Sequence, residues 1–162
     1  MSSSKSRMAG IVIIGAGECG IRAAFSARDA GYEGAITVVG HEQTLPYERP
    51  PLSKPDASGA VEKPITSPEI LSERAIDLKC GVCATAIDRN AQEVSLSDGG
   101  SLAYDRLLLA TGARPRTLTC PGGDRAQVLR TIEDANAIYA AAENATNVVI
   151  VGAGLIGLEL AA

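Results

Sequence analysis

Four β-branched residues, Ile11-Val12-Ile13-Ile14, run directly into Gly15-Ala16-Gly17-Glu18-Cys19-Gly20, and no other stretch so narrows what the chain can become. A short continuous apolar run reads as a strand buried on both faces, hence as part of a parallel sheet. From Gly17 to Ala30 there is no proline, Ile21, Ala24, Phe25 and Arg28 recur at three- and four-residue spacing, and Gly31 stands where a helix would end. Ala35-Ile36-Thr37-Val38-Val39 supplies a second buried strand, so the pattern predicts a βαβ unit of about 30 residues. The three glycines then serve different ends. Gly15 makes the tight turn, Gly17 lets a phosphate approach the backbone, and Gly20 lets helix and strand pack closely. The helix start offers free N–H groups and the positive end of the dipole. Glu42, 22 residues after Gly20 and at the end of the second strand, offers a carboxylate to a ribose hydroxyl. Strand, helix and acid in register predict dinucleotide binding.

Further along, the four prolines between Leu45 and Pro55 exclude regular structure and predict a structured loop. Ser67-Pro68-Glu69 opens a short helix, because Ser caps, Pro suits the first turn and Glu favours the positive helix end. From Leu78 to Asp105 the pattern alternates, with Asn90 and Asp98-Gly99-Gly100 as turn signals, and predicts two or three antiparallel strands. Arg106-Leu107-Leu108-Leu109-Ala110 returns to a continuous apolar strand and stops at Thr111-Gly112. Thr131 to Glu143 reads as a helix with Thr131 as N-cap, and Val148 to Val151 as another strand.

That strand leads into Gly152-Ala153-Gly154-Leu155-Ile156-Gly157, a second string of the same kind, followed by the helix-forming Leu158-Glu159-Leu160-Ala161-Ala162. A helix usually runs about 8–20 residues and ends in a cap signal, so the chain is expected to be an N-terminal fragment cut inside an element. The expected fold is α/β: a Rossmann-like βαβ unit with an inserted antiparallel β-meander, then the start of a second Rossmann unit. The expected boundaries are a disordered tail over 1–9, a first nucleotide domain over 10–145 and the opening of a second over 146–162.

Composition excludes several classes. Fifteen Lys and Arg against nineteen Asp and Glu give a net charge of −4, with only four Tyr, one Phe and no Trp, so nucleic-acid binding has little support. No apolar stretch approaches the ~20 residues needed to span a bilayer, and Met1 to Gly10 lacks the apolar region of a secretory leader. A reducing cytoplasm is the expected setting for the four cysteines.

Two glycine strings with a Thr-Gly-terminated strand between them resemble the flavoprotein pyridine-nucleotide-disulphide oxidoreductases. Leu45-Pro46-Tyr47-Glu48-Arg49-Pro50-Pro51-Leu52-Ser53-Lys54 is similar to the loop of the oxygenase-coupled ferredoxin reductases, the group of putidaredoxin, rhodocoxin and biphenyl-dioxygenase reductases. Ala110-Thr111-Gly112-Ala113-Arg114-Pro115 and Leu129-Arg130-Thr131-Ile132-Glu133-Asp134-Ala135 share that likeness, which extends from about Ile11 to the end. The resemblance implies FAD on the first motif and NADH, or NAD(P)H, on the second. Hydride would pass to the flavin, and single electrons would leave for an iron–sulfur ferredoxin supplying a dioxygenase or cytochrome P450.

Carried over residue by residue, the resemblance implies that Gly15, Ala16, Gly17, Glu18, Cys19 and Gly20 hold the FAD pyrophosphate. Arg49 and Lys54 would lie along the cofactor, Val82 would contact adenine, and Ala110, Thr111, Gly112 and Arg130 would complete the pocket. Gly152, Gly154, Leu155, Ile156 and Gly157 would receive the nicotinamide nucleotide. Lys54 would stabilise charge as the flavin accepts hydride, and Glu159 would lie near the nicotinamide and pair with Lys54. One departure concerns His41, which stands where relatives often carry an acid; the acid here is Glu42, and His41 becomes a loop residue beside the adenosine.

Cys80-Gly81-Val82-Cys83 has redox or zinc spacing, but no second Cys or His pair accompanies it, so no metal is expected. The loop after the second strand lacks the cysteine pair of the disulphide reductases, which argues against glutathione- or lipoamide-type chemistry. Cys19 reads as a small packing residue. Alternatives are another FAD-dependent NAD(P)H oxidoreductase, of the nitrite-reductase or apoptosis-inducing-factor type, or a nucleotide-binding remnant without catalysis. As a fragment, the chain is expected to be inactive alone.

Overall fold

The structure is a computed structural model and describes residues 9–56 and 59–162, so the tail expected over 1–9 lies almost wholly outside the described residues. The chain divides into two compact units. The first takes in residues up to Tyr47 and Pro64–Gly112, and the second takes in Glu48–Lys63 and Ala113–Ala162.

In the first unit, β1 (Ile11–Ile14), β2 (Ile36–Val39), β3 (Ile76–Lys79) and β7 (Arg106–Leu109) form a parallel sheet in the order β3-β2-β1-β7. Strands β4 (Ala84–Asp88), β5 (Glu93–Leu96) and β6 (Ser101–Ala103) form a separate antiparallel meander. The continuous apolar runs of β1 and β2 follow from this arrangement, because both faces of these two strands are covered, whereas Leu108 and Leu109 of β7 are exposed. Ile13, Ile36 and Val38 pack with Ile21 and Ala24 of α1 (Glu18–Asp29) and Leu71 of α2 (Pro68–Glu73). The alternate side chains Val12, Ile14 and Val39 pack with Val94, Leu96 and Tyr104 of the meander and its exit. Ile13, Ile21 and Ile36 are each no more than 1% exposed, and burial of such a side chain contributes roughly 1.5–3 kcal/mol.

Local chemistry sets the ends of these elements. The Ser67 hydroxyl accepts from the Ile70 amide at the start of α2, as the Ser-Pro-Glu order predicts. Gly31 takes φ +84° just past α1. The Asp88 carboxylate accepts from the Asn90 and Ala91 amides, and Asp98 accepts from the Gly100 amide, so the meander turns where the turn residues lie. Arg28 staples the far end of α1: its guanidinium donates to the carbonyls of Arg74, Tyr32, Gly34 and Ala75 at 2.6–2.7 Å.

One strand corrects the sequence expectation. The alternating pattern puts Leu78 and Lys79 at the start of the antiparallel region, yet Ile76–Lys79 pairs in parallel with β2, Ile36 opposite Ile76 and Val39 opposite Lys79. Its buried Ile76 joins the helix-side core, and that long-range pairing outweighs the local alternation.

The second unit contains a 3₁₀ turn at Pro50–Ser53, another at Gly123–Arg125, α3 (Ile132–Ala142) and α4 (Leu155–Ala161). A capping box opens α3: Thr131 accepts from the Asp134 amide, while the Asp134 carboxylate accepts from the amides of Thr131 and Arg130. The Tyr139 hydroxyl donates to the Leu52 carbonyl at 2.6 Å and so ties α3 to the first 3₁₀ turn. Val148–Val151, expected as a strand, forms no strand among the described residues, and Val148, Val149 and Val151 are 67%, 87% and 72% exposed. A strand requires a neighbour to satisfy its amides and carbonyls, and among the described residues this run has none.

Candidate functional site

The first glycine loop sits at the carboxyl end of β1. That strand lies between β2 and β7, where the sheet order changes direction and where open parallel sheets bind ligands. Gly15 has φ +115°, and a Cβ there would lie 2.1 Å from the Ala110 carbonyl oxygen, so the loop packs directly on the end of β7 beside Ala110-Thr111-Gly112. A Cβ on Gly20 would come within 1.9 Å of the Gly15 carbonyl oxygen and 3.3 Å of Ile13 Cγ2, which is the close helix–strand contact the spacing predicts. Around Gly17 the space is open: a Cβ there would meet nothing within 4 Å.

Gly17 is the N-cap of α1 and provides no side-chain cap for the first-turn amides. Open space, unobstructed N–H groups and a positive dipole end fit a pyrophosphate. Glu18 pairs with Arg22 along the helix at 2.8 Å, and Glu18 and Cys19 are both exposed, so Cys19 is not the packing residue that the sequence suggests.

Glu42 and His41 follow β2, with His41 exposed and Glu42 half-buried. The buried Tyr47 donates its phenol proton to the Glu42 carboxylate, a partner that sequence reasoning missed. The Val82 amide donates to Gly40 and the Gly81 amide to Glu42, so the Val82 loop is laced to the segment that carries the acid. The ends of β1, β2 and β3 thus bring Gly15–Gly20, Glu42 and Val82 to one end of the sheet. Cys80 in the same loop donates to the Thr44 carbonyl, and burial pushes its thiol pKa up.

In the second unit, the second glycine string repeats the first in detail. Gly152 has φ +114°, Gly154 is the N-cap with nothing within 4 Å of an added Cβ, and a Cβ on Gly157 would lie 2.7 Å from the Gly152 carbonyl oxygen. Leu155 and Ile156, at the start of α4, are 80% and 54% exposed.

Glu159 of α4 meets the end of the 3₁₀ turn. Lys54 Nζ lies 2.9 Å from Glu159 Oε2, and the buried Ser53 hydroxyl donates to the same oxygen. These two donors, the Ser53 hydroxyl first, hold the Glu159 carboxyl below the usual carboxylate range. Arg49 donates to the Arg130 carbonyl just ahead of the α3 capping box. The structure therefore joins Lys54 with Glu159, the pair that the resemblance implies, and it joins Arg49 with Arg130, a contact not foreseen from the sequence. It adds Ser53, whose only sequence signal is its place beside Lys54. Among the described residues no three His, Cys, Asp or Glu side chains gather as a metal site. No described helix is long and apolar enough to cross a membrane.

Comparison with known proteins agrees with this geometry. The chain is 43% identical over 160 residues to rhodocoxin reductase of Rhodococcus erythropolis. It is 46% identical over 158 residues to the ferredoxin–NAD(+) reductase component of the p-cumate 2,3-dioxygenase system of Pseudomonas putida. Each alignment covers 94% of this chain, and the chain spans 37% and 39% of the respective relatives' length. Among solved structures, the reductase in the covalent putidaredoxin reductase–putidaredoxin complex superimposes with a TM-score of 0.82 at 40% identity, covering 94% of this chain and 39% of that one. The pyridine nucleotide-disulphide oxidoreductase family matches residues 9–162, and this chain belongs to that family.

Proposed function

We propose that this chain supplies the FAD-binding part, and the opening of the NAD(P)-binding part, of an NADH-dependent ferredoxin reductase. The observation that carries the reading is the repeated glycine-loop geometry: two open N-caps in one chain, each preceded by a glycine near φ +115°. On this reading residues 10–145 form the FAD-binding domain and 146–162 begin the nucleotide domain that receives NADH. Ferredoxin reductases of dioxygenase systems, rhodocoxin reductase and putidaredoxin reductase are the similar proteins, which favours an iron–sulfur ferredoxin as the electron acceptor.

Gly15–Gly20 binds the FAD pyrophosphate through backbone amides, Glu42 takes a ribose hydroxyl, and Tyr47 holds the Glu42 carboxylate in place. Val82 packs on the adenine, while Ala110, Thr111, Gly112, Arg49 and Arg130 serve the rest of the cofactor. A bound flavin supplies the conversion of a two-electron hydride donor into single electrons. Lys54 contributes positive charge beside the reacting ring, and Glu159 fixes that ammonium and borders the nicotinamide. The four free cysteines favour a reducing cytoplasm as the setting.

The test is steady-state oxidation of NADH coupled to reduction of a [2Fe–2S] ferredoxin by the flavin-loaded protein in its full natural length. Ferredoxin reduction that requires both FAD and NADH supports the reading. Stoichiometric FAD binding with no transfer to any ferredoxin would replace it with another flavoprotein oxidoreductase.

A further inference from the structure

Ser53 and Lys54 share two acceptors. The Ser53 hydroxyl lies 3.2 Å from the Pro50 carbonyl oxygen and also reaches Glu159 Oε2. Lys54 Nζ lies 3.1 Å from the same Pro50 oxygen and 2.9 Å from the same Glu159 oxygen. The two donors differ in surroundings. Ser53 is 4% exposed, whereas the Lys54 side chain is 56% exposed. The Glu159 side chain is 36% exposed, so water screens its attraction to the exposed ammonium, whereas its bond to Ser53 has a buried donor and is screened less. A hydroxyl carries a single proton, so Ser53 donates to Glu159 or to Pro50 but not to both.

We propose that Ser53, rather than Lys54, is the principal positioning residue for the Glu159 carboxylate, and that the Pro50 carbonyl is the alternative acceptor to which its proton turns when Glu159 loses its charge. The proposal rests on the reading that Glu159 works beside the nicotinamide. Because the Pro50 carbonyl stands ready, no buried hydroxyl is left without an acceptor when Glu159 is neutralised. Release of Glu159 therefore leaves the Ser53 hydroxyl bonded, and the carboxylate can change partners during turnover. Glu159 reaches both donors through Oε2, which leaves Oε1 for a ligand.

The experiment is a carboxyl-carbon NMR titration of the full chain, with the Glu159 resonance assigned by its loss in Glu159→Gln. Ser53→Ala should move the Glu159 midpoint up toward the ordinary carboxylate range by more than Lys54→Met does. If Lys54→Met causes the larger rise, or if Ser53→Ala leaves the midpoint in place, the proposal is overturned. The pH profile of FAD bleaching by NADH in the full-length protein is the second measurement. Its acid limb should move up in Ser53→Ala and vanish in Glu159→Gln. Absence of bleaching in the unsubstituted protein would remove the functional reading alone, since the carboxyl titration judges Ser53 independently.

Discussion

Gly20 lies so close to Gly15 that a Cβ on Gly20 would sit 1.9 Å from the Gly15 carbonyl oxygen, and Gly157 repeats this toward Gly152 at 2.7 Å. Gly17 has the opposite surroundings, with an ordinary extended backbone and open space. The glycines of one motif therefore divide between packing and access. Gly20→Ala should destabilise the protein by about 1–3 kcal/mol, because backbone meets backbone and neither can yield cheaply. Gly17→Ala should cost well under 1 kcal/mol, the difference between two N-cap residues, while weakening FAD binding. Urea unfolding and a flavin titration of both variants separate the two roles; equal stability losses would contradict the division.

Acid should loosen the contact between α4 and the 3₁₀ turn. The Glu159 pKa is lowered in the folded chain from its ordinary 4.5, first by Ser53 and then by Lys54. A lowered folded value means that this contribution is complete above 4.5 and disappears as pH falls through the folded value. Glu69 behaves alike through Ser67. Urea midpoints measured from pH 7 to about pH 3 should therefore fall less steeply in Glu159→Gln than in the unsubstituted chain, with the residual slope reduced further by Glu69→Gln.

Arg28 should prove irreplaceable by lysine. Its guanidinium serves four carbonyls from the α1, α2 and β2 neighbourhoods, and an ammonium lacks the planar fork to reach them together. Arg28→Lys should lose roughly 2–3 kcal/mol, with Arg28→Met no better, as read by thermal or urea unfolding. Full stability of the lysine variant would show that charge alone suffices.

Thr131→Ala should remove about 1 kcal/mol by deleting one half of the α3 capping box. The consequence should extend to Arg130, whose amide is held by the same Asp134 carboxylate and whose carbonyl accepts from Arg49. A drop in FAD affinity together with a lower melting temperature would connect the cap to the site.

The parts legible in the sequence were those governed by local chemistry. The β1–α1–β2 unit announces itself by apolar runs, glycine placement and an unbroken helical period, and Ser67 and Thr131 mark helix starts by their own hydroxyls. Strand β3 was missed because Ile76-Asp77-Leu78-Lys79 looks the same whether it pairs with β2 in parallel or with the meander; only distant packing decides. Val148–Val151 shows the converse, a strong strand pattern that stays unpaired among the described residues. At the site, charged partners such as Lys54 and Glu159 were visible by type and by likeness. Tyr47 and Ser53, the hydroxyls that hold Glu42 and Glu159, were not, because a neutral donor has no signature until folding gives it a partner.

The bridge between Tyr47 and Pro64 has a consequence for how such a protein can change over generations. It brings together the two points where residues 48–63 leave and rejoin the sheet unit, so from the sheet's side the detour is a closed insertion. Lengthening a closed detour to twice its size raises its closure entropy by only about 0.6 kcal/mol. Additions near the Asp56–Gly59 bridge at its middle would therefore leave β1, β2 and the glycine turn undisturbed. Additions at the middle of the detour can thus accumulate among descendants while Arg49, Ser53 and Lys54, nearer its start, and the glycine turn of the sheet unit keep their places.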